Sequence, residues 1–333
     1  MAWIAVDAGT SVVKSVVFSD DGAELAVARR NTTVLHPKPE WSEQDMLGVW
    51  ESVVATVNEA AAQCTEPVRG IVSTAQGDGC WLVDEQLAPT GNAILWNDGR
   101  AAKIVDRWND SGVIEQAFRH SGSVTYPGLP NAILQWLREK EPARVEAARW
   151  SLTANGWIFA NLTGKVAADW SDASNPFSDV KQGRYSPAVI AAFSAEAQQG
   201  LLPPVASESD VVASLSEAAA KRLGVAAGIP VVMAPYDIVA TAFGAGAAEA
   251  GQACVILGTT ICAEAITASL DLTSTPAGTT VMMAPGLHMR AMPTLTGCEA
   301  LEWTAKLFGV DDLVALGTLA AESLGSNGGV FFL

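Results

Sequence analysis

Two short loops pair a glycine with hydroxyl side chains behind an apolar run: Asp7-Ala8-Gly9-Thr10-Ser11 after residues 3–6, and Gly258-Thr259-Thr260 after residues 253–257. Each is followed by a second apolar run, so both read as hairpins with hydroxyl-rich tips. A glycine lets the backbone approach an anion closely, and the amides and hydroxyls that follow donate to phosphate oxygens. Two such tips facing each other would grip a polyphosphate from both sides. Taken alone, a Gly-Thr pair is ordinary turn chemistry. The first loop carries more, because Asp7 closes a strand as a carboxylate and Lys14 adds a cation. Asp7 suits Mg²⁺ held through water, since that ion keeps most of its hydration shell. The phosphate loop of the Gly-x-x-x-x-Gly-Lys-Ser/Thr type is absent, and a strand rather than a helix follows the glycine.

The elements that position these loops follow from periodicity and turn signals. Strands over 3–7, 12–18 and 23–34 make a meander, with Asp21-Gly22 at one reversal. Ser42-Glu43-Gln44-Asp45 opens an amphipathic helix to about Gln63, and 68–74 is a strand that ends at the loop Gln76-Gly77-Asp78-Gly79. A strand entering at Ile94 ends in Trp96-Asn97-Asp98-Gly99-Arg100, and helices are expected over 101–109, 129–139, 142–148 and 153–162. Residues 164–185 read as loop-rich, with Asp172 a loop or cap residue rather than a ligand. A strand over 230–234 runs through Pro235-Tyr236-Asp237 into a helix over 238–247, and small residues at 246–251 mark a boundary. Antiparallel strands, a helix and then another strand predict a mixed α/β sheet rather than a regular βα alternation.

Composition narrows the chemistry. With 333 residues the chain exceeds an ordinary single domain. Its net charge of −16 argues against a nucleic-acid partner, although a local pocket of amides and one metal still accommodates a nucleotide. The five cysteines are odd in number and scattered, which supports neither disulfides nor zinc and points to a reducing cytoplasm. No window reaches the roughly 20 uninterrupted apolar residues that spanning a membrane requires. Only three histidines are present, so a needed base would be a carboxylate.

Asp7-x-Gly9-Thr10-Ser11, Gln76-x-x-Gly79, Leu95-Trp96-Asn97-Asp98-Gly99-Arg100, Asp237 at a helix start and Gly258-Thr259 together resemble the FGGY carbohydrate kinases, which include xylulokinases, L-xylulose kinases, erythritol kinases and glycerol kinase. The run from Trp96 to Arg100 is specific, whereas single Gly-Thr pairs are not. The resemblance implies an actin-like, ribonuclease-H-like ATPase fold, with residues 1–246 as a sugar- and phosphate-binding domain and 247–333 as the first part of a second, incomplete domain. It implies ATP-dependent phosphorylation of a ketopentose or tetritol, with ATP and Mg²⁺. By position, Asp7, Gly9, Thr10, Ser11 and Lys14 would form one phosphate loop, with Asp7 also serving the metal, and Gly258, Thr259 and Thr260 the other. Gln76, Asp78, Trp96, Asp98 and Arg100 would face the sugar, and Asp237 would be the general base. A homodimer stays open.

Two departures qualify the resemblance. Gly77-Asp78 stands where xylulokinases carry Met-His and looks more like erythritol kinases, and Ile238 follows the base where glycerol kinases and xylulokinases place an amide. The sequence also resembles only the first part of a family member, so the adenosine-binding loop is expected beyond Leu333. Two other readings compete: a non-catalytic sugar-binding module, and an actin-like ATPase of other function, which would lack the motif from Trp96 to Arg100.

Overall fold

A computed structural model of the chain describes residues 1–333 apart from 208–209, 259–260, 295–296, 326–327 and 330–333. Strands β1 (Ala2–Ala8), β2 (Val12–Ser19) and β3 (Glu24–Asn31) form the expected antiparallel meander, with Asp7 opposite Lys14. Helix α1 (Met46–Gln63) is capped by Asp45, whose Oδ1 accepts from Leu47 N at 3.1 Å. It starts later than the sequence suggests, because Glu43–Gln44 pair instead as a short strand with Ala93–Ile94. Residues 95–100 continue that second strand only as turns, and the sequence reading has no counterpart for a helix over Val113–Ser121.

Strand β4 (Val68–Ala75) lies parallel to β1, on the side away from β2. After helix α2 (Ala154–Thr163), β5 (Val212–Ser214) and β6 (Pro230–Met233) complete a six-stranded mixed sheet in the order β5-β6-β4-β1-β2-β3. The loop-rich stretch 164–185 also holds a short helix, Trp170–Ser174, and a small ribbon pairing Ser178–Asp179 with Arg184–Tyr185. Helix α3 (Asp237–Gly244) then leads to a second, antiparallel sheet of β7 (Ala253–Leu257), β8 (Ile261–Thr267), β9 (Thr279–Ala284) and β10 (Leu287–Pro293), ordered β7-β8-β10-β9.

Alternation along β1 decides which face is core. Ala2, Ile4, Val6 and Ala8 are buried in one cluster with Val53 and Val57 of α1 and Ile158 and Leu162 of α2. Trp3, Ala5 and Asp7 point the other way and stay half-buried. Asp7 therefore ends its strand on the open face of the sheet.

One close approach fixes the far wall of the cleft. Gly128 O accepts from Gly79 N at 3.1 Å, and a Cβ at Gly128 would lie 1.6 Å from the Trp96 carbonyl oxygen. Backbone on both sides leaves nothing flexible to yield. Gly128→Ala should therefore lower stability by about 1–3 kcal/mol, read as a drop in the thermal midpoint. An unchanged midpoint would show that the two loops separate at little cost.

Candidate functional site

The parallel strands β1, β4 and β6 bring their carboxyl ends to one edge. Ala8 sits beside Ala75, and Met233 beside Ser73, so the loops 9–11, 76–79 and 234–236 leave the sheet at nearly the same level. Ligands of open α/β sheets bind at such edges. The third loop is clamped: Pro235 O accepts from Thr74 Oγ1 and Ala234 O from Asn155 Nδ2, each at 2.7 Å, and Tyr236 N donates to Ser171 Oγ at 3.0 Å. The second loop touches it so closely that a Cβ on Gly77 would lie 2.3 Å from the Tyr236 ring.

Thr10 links the loops through hydrogen bonds. Its hydroxyl donates to Gln76 Oε1 at 2.8 Å and accepts from Trp96 Nε1 at 3.0 Å. Its carbonyl accepts from Gln44 Nε2 at 2.7 Å and from Thr32 Oγ1 at 2.6 Å, and Gln76 Nε2 closes the circuit on Gln44 Oε1 at 2.8 Å. The Thr10 hydroxyl hydrogen is thus spent within the protein. What the first hairpin keeps for an anion is its backbone and the exposed Ser11.

Asp98 and Arg100 are brought to each other rather than to this edge. Asp98 Oδ1 accepts from Arg100 Nε at 2.8 Å, its Oδ2 accepts from Arg100 Nη2 at 2.9 Å and from Ser42 N at 2.7 Å, and Arg100 Nη2 also donates to Glu43 at 2.6 Å. The guanidinium packs 3.9 Å from the Trp41 ring centre. Both side chains are almost wholly buried. Their carboxylate–guanidinium pairing sets the course of the loop from Trp96 to Arg100.

Carboxylates gather where the three loops meet. Burial pushes the Asp237 carboxyl up to about 7, the like charges of Asp7, Asp78 and Glu264 add to the push, and a hydrogen bond from Ile238 N opposes it. Asp237 is the first residue of α3, after Tyr236 at the cap position. Burial likewise raises Asp78 to about 6, against the Tyr126 hydroxyl, which donates to its Oδ2 at 2.6 Å, and the Asn175 side chain. Asp78 holds a left-handed φ of 52°, a conformation aspartate tolerates better than most residues. Asp7 is raised by burial, with Lys14 opposing.

Sequence reasoning passed over two of these groups. Tyr126 lies in a Pro-Gly turn whose sequence gives no sign of facing Asp78. Glu264 is 2 % exposed on the inner face of β8 beside Cys262 and Ile266, and the alternation of an acid with apolar residues along that strand is the signal that locates it. Asp172, read as a loop or cap residue, lies within the short helix and accepts from Thr153 Oγ1 at 2.7 Å, while Asp169 is the cap. Of the second hairpin, Gly258 O accepts from Cys298 N at 2.8 Å; Thr259 and Thr260 lie outside the described residues.

The raised Asp237 has a consequence for folding. The folded chain holds that proton up to about pH 7, whereas at its ordinary value of 3.8 the unfolded chain has lost it. The folded state binds more protons between these values, so stability falls as pH rises through the interval. Asp237→Asn should accordingly melt higher than the parent protein at about pH 8, with the difference fading toward about pH 4. A difference independent of pH would mean that the carboxyl is not strained by burial.

Comparison with known proteins bears on the whole of this region. The model of the FGGY family of carbohydrate kinases, N-terminal domain, matches residues 2–244. The L-xylulose/3-keto-L-gulonate kinase of Escherichia coli (strain K12) is 29% identical over 99% of this chain and 68% of its own length. The erythritol kinase of Brucella abortus (strain 2308) is 30% identical over 77% of this chain and 50% of its own. The crystal structure of xylulose kinase from Rhodospirillum rubrum superposes with a TM-score of 0.89 at 24% identity, covering 99% of this chain and 68% of that one, so the actin-like ATPase fold is shared. The chain spans roughly half to two thirds of the length of these relatives. Because the family match runs from the first strand of the six-stranded sheet to the last residue of the helix that Asp237 begins, it takes in all three loops of the cleft, and the chain belongs to the FGGY family of carbohydrate kinases.

Proposed function

We propose that the protein phosphorylates a hydroxyl of a small sugar or polyol with ATP, a ketopentose such as xylulose or a tetritol such as erythritol. The convergence of Asp7, Asp78 and Asp237 at the ends of three adjacent loops, in a chain of this family, carries the reading. Residues 1–246 act as the sugar- and phosphate-binding domain and 247–333 as part of the ATPase domain. All five cysteines are free, in keeping with a cytoplasmic setting, and among the described residues no helix is long and apolar enough to cross a membrane.

In phosphoryl transfer most of the barrier is lowered by alignment and charge compensation. Asp237 accepts the proton of the substrate hydroxyl as its oxygen bonds to the γ-phosphorus and the bond to the ADP oxygen breaks. A carboxyl near 7 suits that task, since about half is ionised at neutral pH. Asp78, held by Tyr126, accepts from a second substrate hydroxyl, and Gln76 and Trp96 frame the sugar beside Thr10. The backbone of Gly9 to Ser11, with Lys14 and the hairpin at Gly258, Thr259 and Thr260, receives the phosphates. Asp98 and Arg100 support the sugar loop from behind.

Asp7 fits a divalent cation held through water: its carboxyl is raised by burial at the end of the strand that leads into the first phosphate hairpin. Mg²⁺ bound there through water would neutralise charge on the transferring phosphoryl group.

A coupled ADP-release assay of the full-length protein over pentuloses, tetritols and glycerol tests the proposal. Failure of every acceptor would remove it, and sugar binding without ADP release would assign the protein as a non-catalytic sugar-binding module. With the accepted acceptor, Asp237→Asn should cost roughly two to four orders of magnitude in turnover while binding is kept. Parental turnover should fall as pH drops below about 7, where Asp237 gains its proton. A flat profile in the acid range would place the base elsewhere.

A further inference from the structure

The cleft is acidic, and among the described residues no cation is paired with its carboxylates. Asp78 and Asp237 face it, Glu264 stands behind Asp237, and Asp172 adds its field to that of Asp78. Among the described residues, no lysine or arginine makes a hydrogen bond or ion pair with Asp78, Tyr126, Asp172, Asp237 or Glu264. Lys14 stands across β1–β2 from Asp7, on the phosphate side. Arg100, the guanidinium of the loop motif, is paired with Asp98 and Glu43 and buried under Trp41, its Nη1 shut off from solvent. Asp78 moreover has one oxygen already taken by Tyr126, so what it offers a ligand is acceptance from a hydroxyl.

We infer that the cleft selects uncharged sugars and polyols and rejects those bearing a carboxylate, with Asp78 as the residue that sets the choice. The inference rests on the proposed kinase reading and narrows its substrate class. A carboxylate placed against Asp78 would meet a like charge in a poorly hydrated site, where such repulsion is screened weakly.

Calorimetric binding at about pH 8, where carboxyls that titrate near 6 and 7 are ionised, tests this apart from catalysis. The matched probes are erythritol against erythronate and xylulose against xylonate. The neutral member of at least one pair should bind about tenfold or more tightly than its acid, a difference of about 1.4 kcal/mol. Asp78→Asn keeps the shape and tolerates the left-handed φ, and it should narrow the gap by at least about threefold while still melting in one cooperative transition no lower than the parent protein. Asp78→Glu should retain the gap. Equal binding of acid and neutral probe, a gap indifferent to Asp78→Asn, or binding by neither would overturn the inference. Discrimination in binding without ADP release would sink the kinase reading alone.

Discussion

Parallel pairing of β1, β4 and β6 is the constraint on which the cleft depends. Since Ala8, Ala75 and Met233 end at nearly the same level, three loops far apart in sequence begin side by side. Nothing in the loops themselves would gather them. The hydrogen bonds that follow then select among the ways those loops could lie: Thr10 joins the first to the second through Gln76 and to the sugar loop through Trp96, while Thr74 and Asn155 hold the third by its carbonyls. The bonds cost little because the backbone already presents the partners, and each buried donor that finds one avoids a desolvation penalty of about 1–3 kcal/mol.

Against that order stands a concentration of acids that folding alone would avoid. Asp78, Asp172, Asp237 and Glu264 lie in or behind the cleft, each with its carboxyl raised by burial. Their placement opposes stability and favours chemistry, because a carboxyl poised near neutral pH can both accept and release a proton. The core beneath β1 and α1, with its run of fully buried Ile4, Val6, Val53 and Val57, offsets the cost.

Much of this was legible in the sequence because the signals were local. The alternation in residues 2–8, the Asp-Gly reversal and the apolar spacing of Met46, Val49, Trp50, Val53 and Val57 each dictate an element without help from elsewhere. The start of α1 was not legible, since Glu43–Gln44 take the strand form only when Ala93–Ile94 arrives beside them. The same holds in the site. Asp237 announces itself by standing at a helix start after a strand, whereas the roles of Tyr126 and Glu264 follow from contacts between segments that no spacing along the chain encodes. The engagement of Asp98 with Arg100 likewise depends on Ser42 and Glu43, more than fifty residues away.

That engagement bears on how the protein responds to ionic strength. Exposed pairs such as Arg222 with Glu51, or Arg107 with Glu139, lie in water, contribute about 1 kcal/mol or less and weaken further as salt is added. The Asp98–Arg100 pair is buried, where salt screens far less. Added salt would therefore relax the acidic exterior and loosen the surface pairs while leaving the loop from Trp96 to Arg100 in place, so the cleft keeps one wall whose shape is independent of the medium.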